Sequence, residues 1–224
     1  MERGSFFDKL ISLIYPDTCP YCGKIIDSGK TKCNECEKDI KCIFSVRKIL
    51  GEVVCVSPYR YSGRVRTAIR KFKFRRYKRY SWNFAMEIVK SIEARFPDKK
   101  FSAVTYVPLH KYRKNDRGYN QSRLLAAEIG RKLDIPVQEF LRKIKNNSPQ
   151  HRLKNLKDRV QNVKGVYEAA CRGENRDGTV ILCDDIVTSG STLVECVKML
   201  KKAGFKDILC VTVANTVREV NENK

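Results

Sequence analysis

Residues 180 to 192 read VILCDDIVTSGST: an apolar run, two adjacent acids, then four hydroxyl residues around one glycine. Two neighbouring carboxylates at the end of a buried run repel each other, so this position either offsets their charge or uses it. The hydroxyl-rich loop stands just ahead of an expected helix N-terminus. Unpaired backbone N–H groups, the positive end of the helix dipole and a glycine that permits close approach together make a cradle for phosphate. Carboxylates repel phosphate, so Asp184 and Asp185 suit sugar hydroxyls or a metal ion, whereas Thr188, Ser189, Gly190, Ser191 and Thr192 suit the phosphate. Ribose 5-phosphate, with a diol and a phosphate a short distance apart, has the required layout. Thr192 and Glu195 also match a helix capping box, so Thr192 serves either the helix or the ligand.

A second constellation lies near the N-terminus, where Cys19-Pro-Tyr-Cys22-Gly is followed after ten residues by Cys33-Asn-Glu-Cys36. Each C-x2-C turn aims two thiolates at one ion, and two such turns complete a tetrahedral structural zinc site with no open coordination position. A redox pair or buried unliganded thiols are the alternatives. The other six of the ten cysteines lack this spacing and read as small hydrophobes.

Charge sets the next constraint. Among 224 residues, 46 Lys and Arg outweigh 25 Asp and Glu, for a net charge of +21. A chain this basic attracts polyphosphates or nucleic acid. From Arg60 to Arg79, RYSGRVRTAIRKFKFRRYKR holds ten basic residues and no acid, interleaved with Tyr61, Phe72, Phe74 and Tyr77. Stacking aromatics and backbone-holding cations are the physics of single-strand binding, with Arg75, Arg76, Lys78 and Arg79 as the nucleic-acid candidates. The competing reading is a solvated basic face whose aromatics point into the core. No apolar run is long enough to span a bilayer, and the N-terminus lacks a signal-peptide pattern, so a cytoplasmic protein without membrane insertion is expected.

The elements that must position these groups follow an α/β alternation. Strands are expected over 52–61, 101–108, around 139–144, and in GTVILCDD and DILCVTVANT. Helices are expected over 81–96, from Asn120 as a capping residue to a stop near Pro136, and over TLVECVKMLKKAGF. The last strand, helix and strand form one βαβ unit of a parallel sheet, whose ligands bind beyond the carboxyl ends of the strands, where Asp184 and Asp185 stand. The basic stretch KNNSPQHRLKNLKDRVQNVKG reads as a mobile binding loop.

The acids and hydroxyl loop resemble the phosphoribosyl pyrophosphate signature of type I phosphoribosyltransferases. The rest of the chain is similar to the competence-associated ComF family: a four-cysteine knuckle, YSGRVRTAIRKFKF, VPLHKYRKNDRGYNQS and QHRLKNLKDRVQNVKGVY occur in that family's order. The resemblance implies an α/β, parallel-sheet type I phosphoribosyltransferase fold over residues 51–224, with an N-terminal helix and a small zinc module in residues 1–50. It gives Asp184 and Asp185 the ribose hydroxyls and Thr188 to Thr192 the 5′-phosphate. Arg113 and Arg117 become candidates for pyrophosphate, and Gln150, Arg152, Arg159 and Asn162 lie in the flexible-loop block. Implied ligands are structural Zn²⁺, Mg²⁺ with phosphoribosyl pyrophosphate, single-stranded DNA, and a helicase of the DNA-uptake machinery. Purine-salvage relatives carry a carboxylate four residues after the first acid, and here that position is Thr188. Two classes of function therefore stand: a phosphoribosyltransferase with an acceptor other than an ordinary purine, or a DNA-binding or ligand-sensing module built on the same fold.

Overall fold

The apolar runs form strands whose two-residue period sorts their side chains into two layers. In the computed structural model, which describes residues 16–74, 77–110, 118–147, 156–171 and 178–216, the elements begin with α1 (Asn34–Asp39), β1 (Ser45–Leu50), β2 (Val53–Ser57), β3 (Tyr59–Arg60) and α2 (Gly63–Phe74). They continue with α3 (Tyr80–Arg95), β4 (Phe101–Tyr106), α4 (Gln121–Leu133), β5 (Leu141–Lys143), α5 (Leu156–Val163) and β6 (Tyr167–Ala169). Last come β7 (Thr179–Cys183), β8 (Ile186–Val187), α6 (Ser191–Lys202), β9 (Asp207–Val211) and β10 (Ala214–Asn215).

The main sheet has five strands in the order β1, β2, β9, β7, β4. All its pairs are parallel except the edge pair of β1 with β2. The expected βαβ unit is present, with Leu182 of β7 opposite Cys210 of β9. On β7, Ile181 and Cys183 join one core with Phe72 of α2, Phe84 and Ile88 of α3, and Leu125 and Ile129 of α4. Val180 and Leu182 face the opposite core, which contains Leu193, Val197 and Leu200 of α6 with Leu141 and Tyr167 of the β5–β6 pair. Helices thus cover both faces, as a parallel sheet requires.

One local expectation is corrected, and two elements stand where none was expected. The stretch expected as a mobile loop contains helix α5, whose Leu156, Val160 and Val163 keep a helical spacing among charged and amide residues; Val163 and the following Val166 are buried in the α6 core. The basic aromatic segment contains helix α2, whose buried Val65, Ala68, Ile69 and Phe72 keep a helical spacing beneath the charges. An edge strand, β1, stands where the sequence shows no sustained apolar run. The expected cap of α4 is present: the Asn120 side chain accepts from the backbone N–H groups of Ser122 and Arg123.

The cysteine knuckle is tied to the sheet domain by a buried polar cluster centred on Glu87 of α3. Its carboxylate accepts from Thr31 Oγ1 at 2.5 Å, Tyr59 OH at 2.7 Å, Lys90 Nζ at 3.0 Å, Cys42 Sγ at 3.1 Å and Lys32 Nζ at 3.3 Å. Both Lys32 and Glu87 side chains are 1% exposed. Burial alone would push the Glu87 carboxyl up, but the Thr31 bond, the Lys32 charge and the Tyr59 and Lys90 bonds overcome it and hold it at about 2. Because this value is depressed on folding, the stabilisation is complete above the unfolded value near 4.5 and is lost as pH falls toward about 2. Glu87→Gln leaves Lys32 buried without its main counter-charge. We expect urea denaturation at neutral pH to show a loss of roughly 3 kcal/mol, and the acid limb of the stability profile to flatten.

Candidate functional site

Asp184 and Asp185 follow directly on β7, and their backbone is fixed by two bonds to the neighbouring chain segment: Asp184 N–H donates to Val211 O at 2.9 Å, and Val213 N–H donates to Asp185 O at 3.1 Å. The side chains have different partners. Asp184 Oδ1 accepts from Ser122 Oγ at 2.9 Å and from the Asp185 N–H at 2.8 Å. Asp185 Oδ1 pairs with Lys73 Nζ at 2.7 Å, with both side chains mostly enclosed. Burial and the adjacent Asp185 charge raise the Asp184 carboxyl to about 7, against the opposing pull of Lys73, the Asp185 N–H and Ser122. One acid is therefore held by neutral donors and the other by a cation, which keeps two crowded carboxylates tolerable at one strand end.

The hydroxyl loop lies between β8 and α6. Gly190 has φ of 82°, a left-handed conformation that favours glycine, and α6 begins at the next residue without a side-chain cap. Ser189 Oγ and Ser191 Oγ are 2.8 Å apart. The capping-box reading of Thr192 and Glu195 is corrected: the helix starts at Ser191, and Glu195 Oε1 instead accepts from Gly165 N–H at 2.8 Å, joining α6 to the segment after α5. Arg47 of β1 donates from Nη1 to Thr188 O at 2.5 Å and from Nη2 to Ser189 O at 3.0 Å.

Four consecutive residues, Tyr119 to Ser122, tie the neighbouring elements to the acids. Tyr119 OH donates to Phe72 O. Asn120 Nδ2 donates to Val107 O at 3.1 Å, beyond β4, and Gln121 Nε2 donates to Lys73 O at 3.1 Å. Ser122 then reaches Asp184. These contacts fix the C-terminal end of α2 where Lys73 meets Asp185.

Sequence reasoning missed Lys73, Ser122 and Arg47. Lys73 was hidden among ten basic residues. The usable signal was the spacing of Val65, Ala68, Ile69 and Phe72, which makes a helix of that segment and puts Lys73 in its last turn.

Arg75, Arg76, Arg113, Arg117, Gln150 and Arg152 lie outside the described residues. Arg159 and Asn162 are half-buried on α5, and the Asn162 carbonyl accepts from Asn147 Nδ2 at 2.6 Å. Lys78 lies over the Tyr119 ring at 5.4 Å, and Arg79 over the Tyr77 ring at 5.8 Å. Of the interleaved aromatics, Phe72 is fully buried and Tyr77 stacks on Tyr80 at 5.1 Å, so these two serve the protein's interior. Phe74 is 54% exposed. Arg66 and Arg70 lie on the exposed side of α2, a helix without an acid.

The four cysteines converge. Cys19, Cys22, Cys33 and Cys36 have sulfurs all within 4.8 Å of one another, and among the described residues no other such metal-ligating group occurs. Gly23, at φ of 85°, turns the first knuckle as its N–H donates to Cys19 O at 2.9 Å. Cys33 and Cys36 sit at the start of α1, where Glu37 N–H donates to Cys33 O. Four thiolates at this spacing suit tetrahedral Zn²⁺, with Zn–S bonds of about 2.3 Å. Cys36→Ser is expected to release the zinc and lower the melting temperature of the whole chain, read by metal analysis and thermal unfolding. Full metal content in that variant would contradict this assignment.

A family model described as Phosphoribosyl transferase domain matches residues 120–223, and one described as Double zinc ribbon domain matches residues 10–47. Competence protein F of Haemophilus influenzae is 40% identical over 108 residues, spanning 47% of this chain and 47% of that protein, so the match covers about half the relative's length. Competence protein ComFC of Bacillus subtilis is 27% identical over 192 residues, 83% of this chain and 72% of that one. DNA utilization protein YhgH of Escherichia coli K12 is 26% identical over 199 residues, 83% of this chain and 85% of that one. Lys73 lies outside both matched ranges, and Arg47 is the last residue of the zinc-ribbon match. A zinc ribbon preceding a phosphoribosyltransferase domain, with similarity to two competence proteins, supports a ComF-family, phosphoribosyltransferase-like protein.

Proposed function

We propose that the protein binds phosphoribosyl pyrophosphate with Mg²⁺ and acts in DNA uptake or utilisation in the cytoplasm, with single-stranded DNA held along the exposed side of α2. The observation that carries the first part is the pairing of two differently held carboxylates with an uncapped helix N-terminus at the end of a parallel strand. The ribose hydroxyls donate to Asp184 and Asp185, and the 5′-phosphate accepts from the N–H and hydroxyl groups of residues 188–192. Mg²⁺, a hard cation that prefers oxygen ligands, supplies charge neutralisation at the pyrophosphate. Arg113, Arg117, Gln150, Arg152 and Arg159 are the residues assigned to the rest of that charge.

Lys73 must share or release Asp185 when the diol arrives, so the ligand replaces an internal ion pair instead of filling a bare anionic site. If the glycosidic carbon is transferred, departure of pyrophosphate leaves positive charge on the sugar, and the nearby carboxylates stabilise it. Thr188 supplies no carboxylate to assist a purine. That favours an acceptor of another kind, or a second reading in which the bound ligand is sensed and not consumed.

The DNA reading rests on the names of the relatives, the +21 net charge, and the acid-free helix α2 with exposed Arg66 and Arg70. A helicase partner follows from the same family resemblance.

Titration of phosphoribosyl pyrophosphate with Mg²⁺ into wild-type protein is expected to give heat and a thermal shift, both abolished in the Asp184→Asn, Asp185→Asn double variant. No binding by the wild type would overturn the reading. Release of pyrophosphate during incubation with candidate acceptors separates turnover from sensing.

For DNA, Arg66→Gln with Arg70→Gln is expected to weaken single-strand affinity and to reduce the slope of log affinity against log salt by about 0.7 for each phosphate that the variant no longer neutralises. An unchanged slope would remove α2 from the DNA surface.

A further inference from the structure

We infer that Arg47, supplied by the edge strand that follows the zinc knuckle, is the positioning residue that aims the phosphate loop's backbone at the ligand. The inference rests on the ribose-phosphate reading of the clamp and assigns a role to a residue outside the phosphoribosyltransferase match.

Its guanidinium spans two consecutive carbonyls, those of Thr188 and Ser189, at 2.5 and 3.0 Å. In a trans peptide the C=O and the N–H of the following residue point in opposite directions. Drawing the Thr188 and Ser189 carbonyls to one side therefore turns the Ser189 and Gly190 N–H groups to the other. These two groups stand just before the first turn of α6, whose own N–H groups and dipole favour an anion.

Gly190 adds a second constraint. Glycine has wide backbone freedom, and an external tether favours the single orientation, with φ of 82°, that Gly190 adopts. The Arg47 guanidinium lies on the side where a Cβ at Gly190 would project, at 3.7 Å, with Ile49 Cδ1 of the same strand also at 3.7 Å. Thr216 Oγ1 adds a third contact from the same region, donating to Thr188 O at 3.3 Å.

A planar fork is suited to this task because it fixes two acceptors at a set separation, which a lysine ammonium on a flexible stem does not. β1 is held in turn along β2, from Ser45 opposite Ser57 to Leu50 opposite Val53. Asn215 Nδ2 of β10 also donates to Ser45 Oγ. The path from the zinc-ribbon segment to the phosphate loop is thus one short strand.

Ribose 5-phosphate, phosphoribosyl pyrophosphate and inorganic pyrophosphate, each with Mg²⁺, should be titrated into wild type, Arg47→Gln and Arg47→Lys, with thermal unfolding recorded for each. In Arg47→Gln the affinity for both sugar phosphates is expected to fall about tenfold or more, the scale of a hydrogen bond to a charged group. Pyrophosphate affinity is expected to hold. Arg47→Lys keeps the charge and is expected to recover only part of the affinity. If the Gln variant does not fold, the Lys variant decides: weaker ribose 5-phosphate binding with unchanged pyrophosphate binding supports the assignment. Wild-type affinity for ribose 5-phosphate in the Lys variant, or an equal fall for pyrophosphate, overturns it. Failure of wild type to bind either sugar phosphate would instead overturn the clamp reading itself, and the role of Arg47 with it.

Discussion

The repulsion between Asp184 and Asp185 is the constraint around which the site is organised. Strand β7 is buried on both faces, and its end offers little solvent to screen two adjacent charges. The fold answers with a hydroxyl from the start of α4, a backbone N–H within the pair, and an ammonium from the end of α2. Each donor must arrive at a fixed place, which is why Tyr119, Asn120 and Gln121 join α4 to α2 and to the end of β4. A segment that looks like an ordinary helix start is therefore the brace for an electrostatic site.

Much of that brace comes from the N-terminal third of the chain. Lys73 provides the counter-charge for one acid, Arg47 grips the loop beyond the pair, and the Lys32 and Glu87 pair seats the cysteine knuckle on α3. The zinc-ribbon segment and the sheet domain are consequently coupled at more than one point. Arg64, at the start of α2, pairs with Asp39 at 2.9 Å and approaches Cys36 Sγ at 3.9 Å, so the same helix that delivers Lys73 also touches the knuckle.

The features legible in the sequence were those set by local chemistry. VILC is apolar throughout because both faces of its strand are covered, and the cysteine spacing needs only two tight turns. Asn120 announces the start of α4 through its own side chain. What remained hidden depended on distant partners. Arg47 lies 141 positions before Thr188, and Lys73 owes its role to a helix whose apolar face was masked by surrounding cations. Helix α5 carries Leu156, Val160 and Val163 at helical spacing, but the basic and amide residues around them obscure that stripe in the sequence. In the same way, the aromatics of the basic segment suggested stacking on bases, yet Phe72 is core and Tyr77 pairs with Tyr80.

A crystal structure of the protein with ribose 5-phosphate and Mg²⁺ tests the central claim most directly. The account predicts the phosphate against the backbone of residues 188–192, the 2′- and 3′-hydroxyls on Asp184 and Asp185, and Lys73 shifted from its contact with Asp185. A sugar phosphate bound elsewhere, with the Lys73 and Asp185 pair intact and the loop empty, would contradict it.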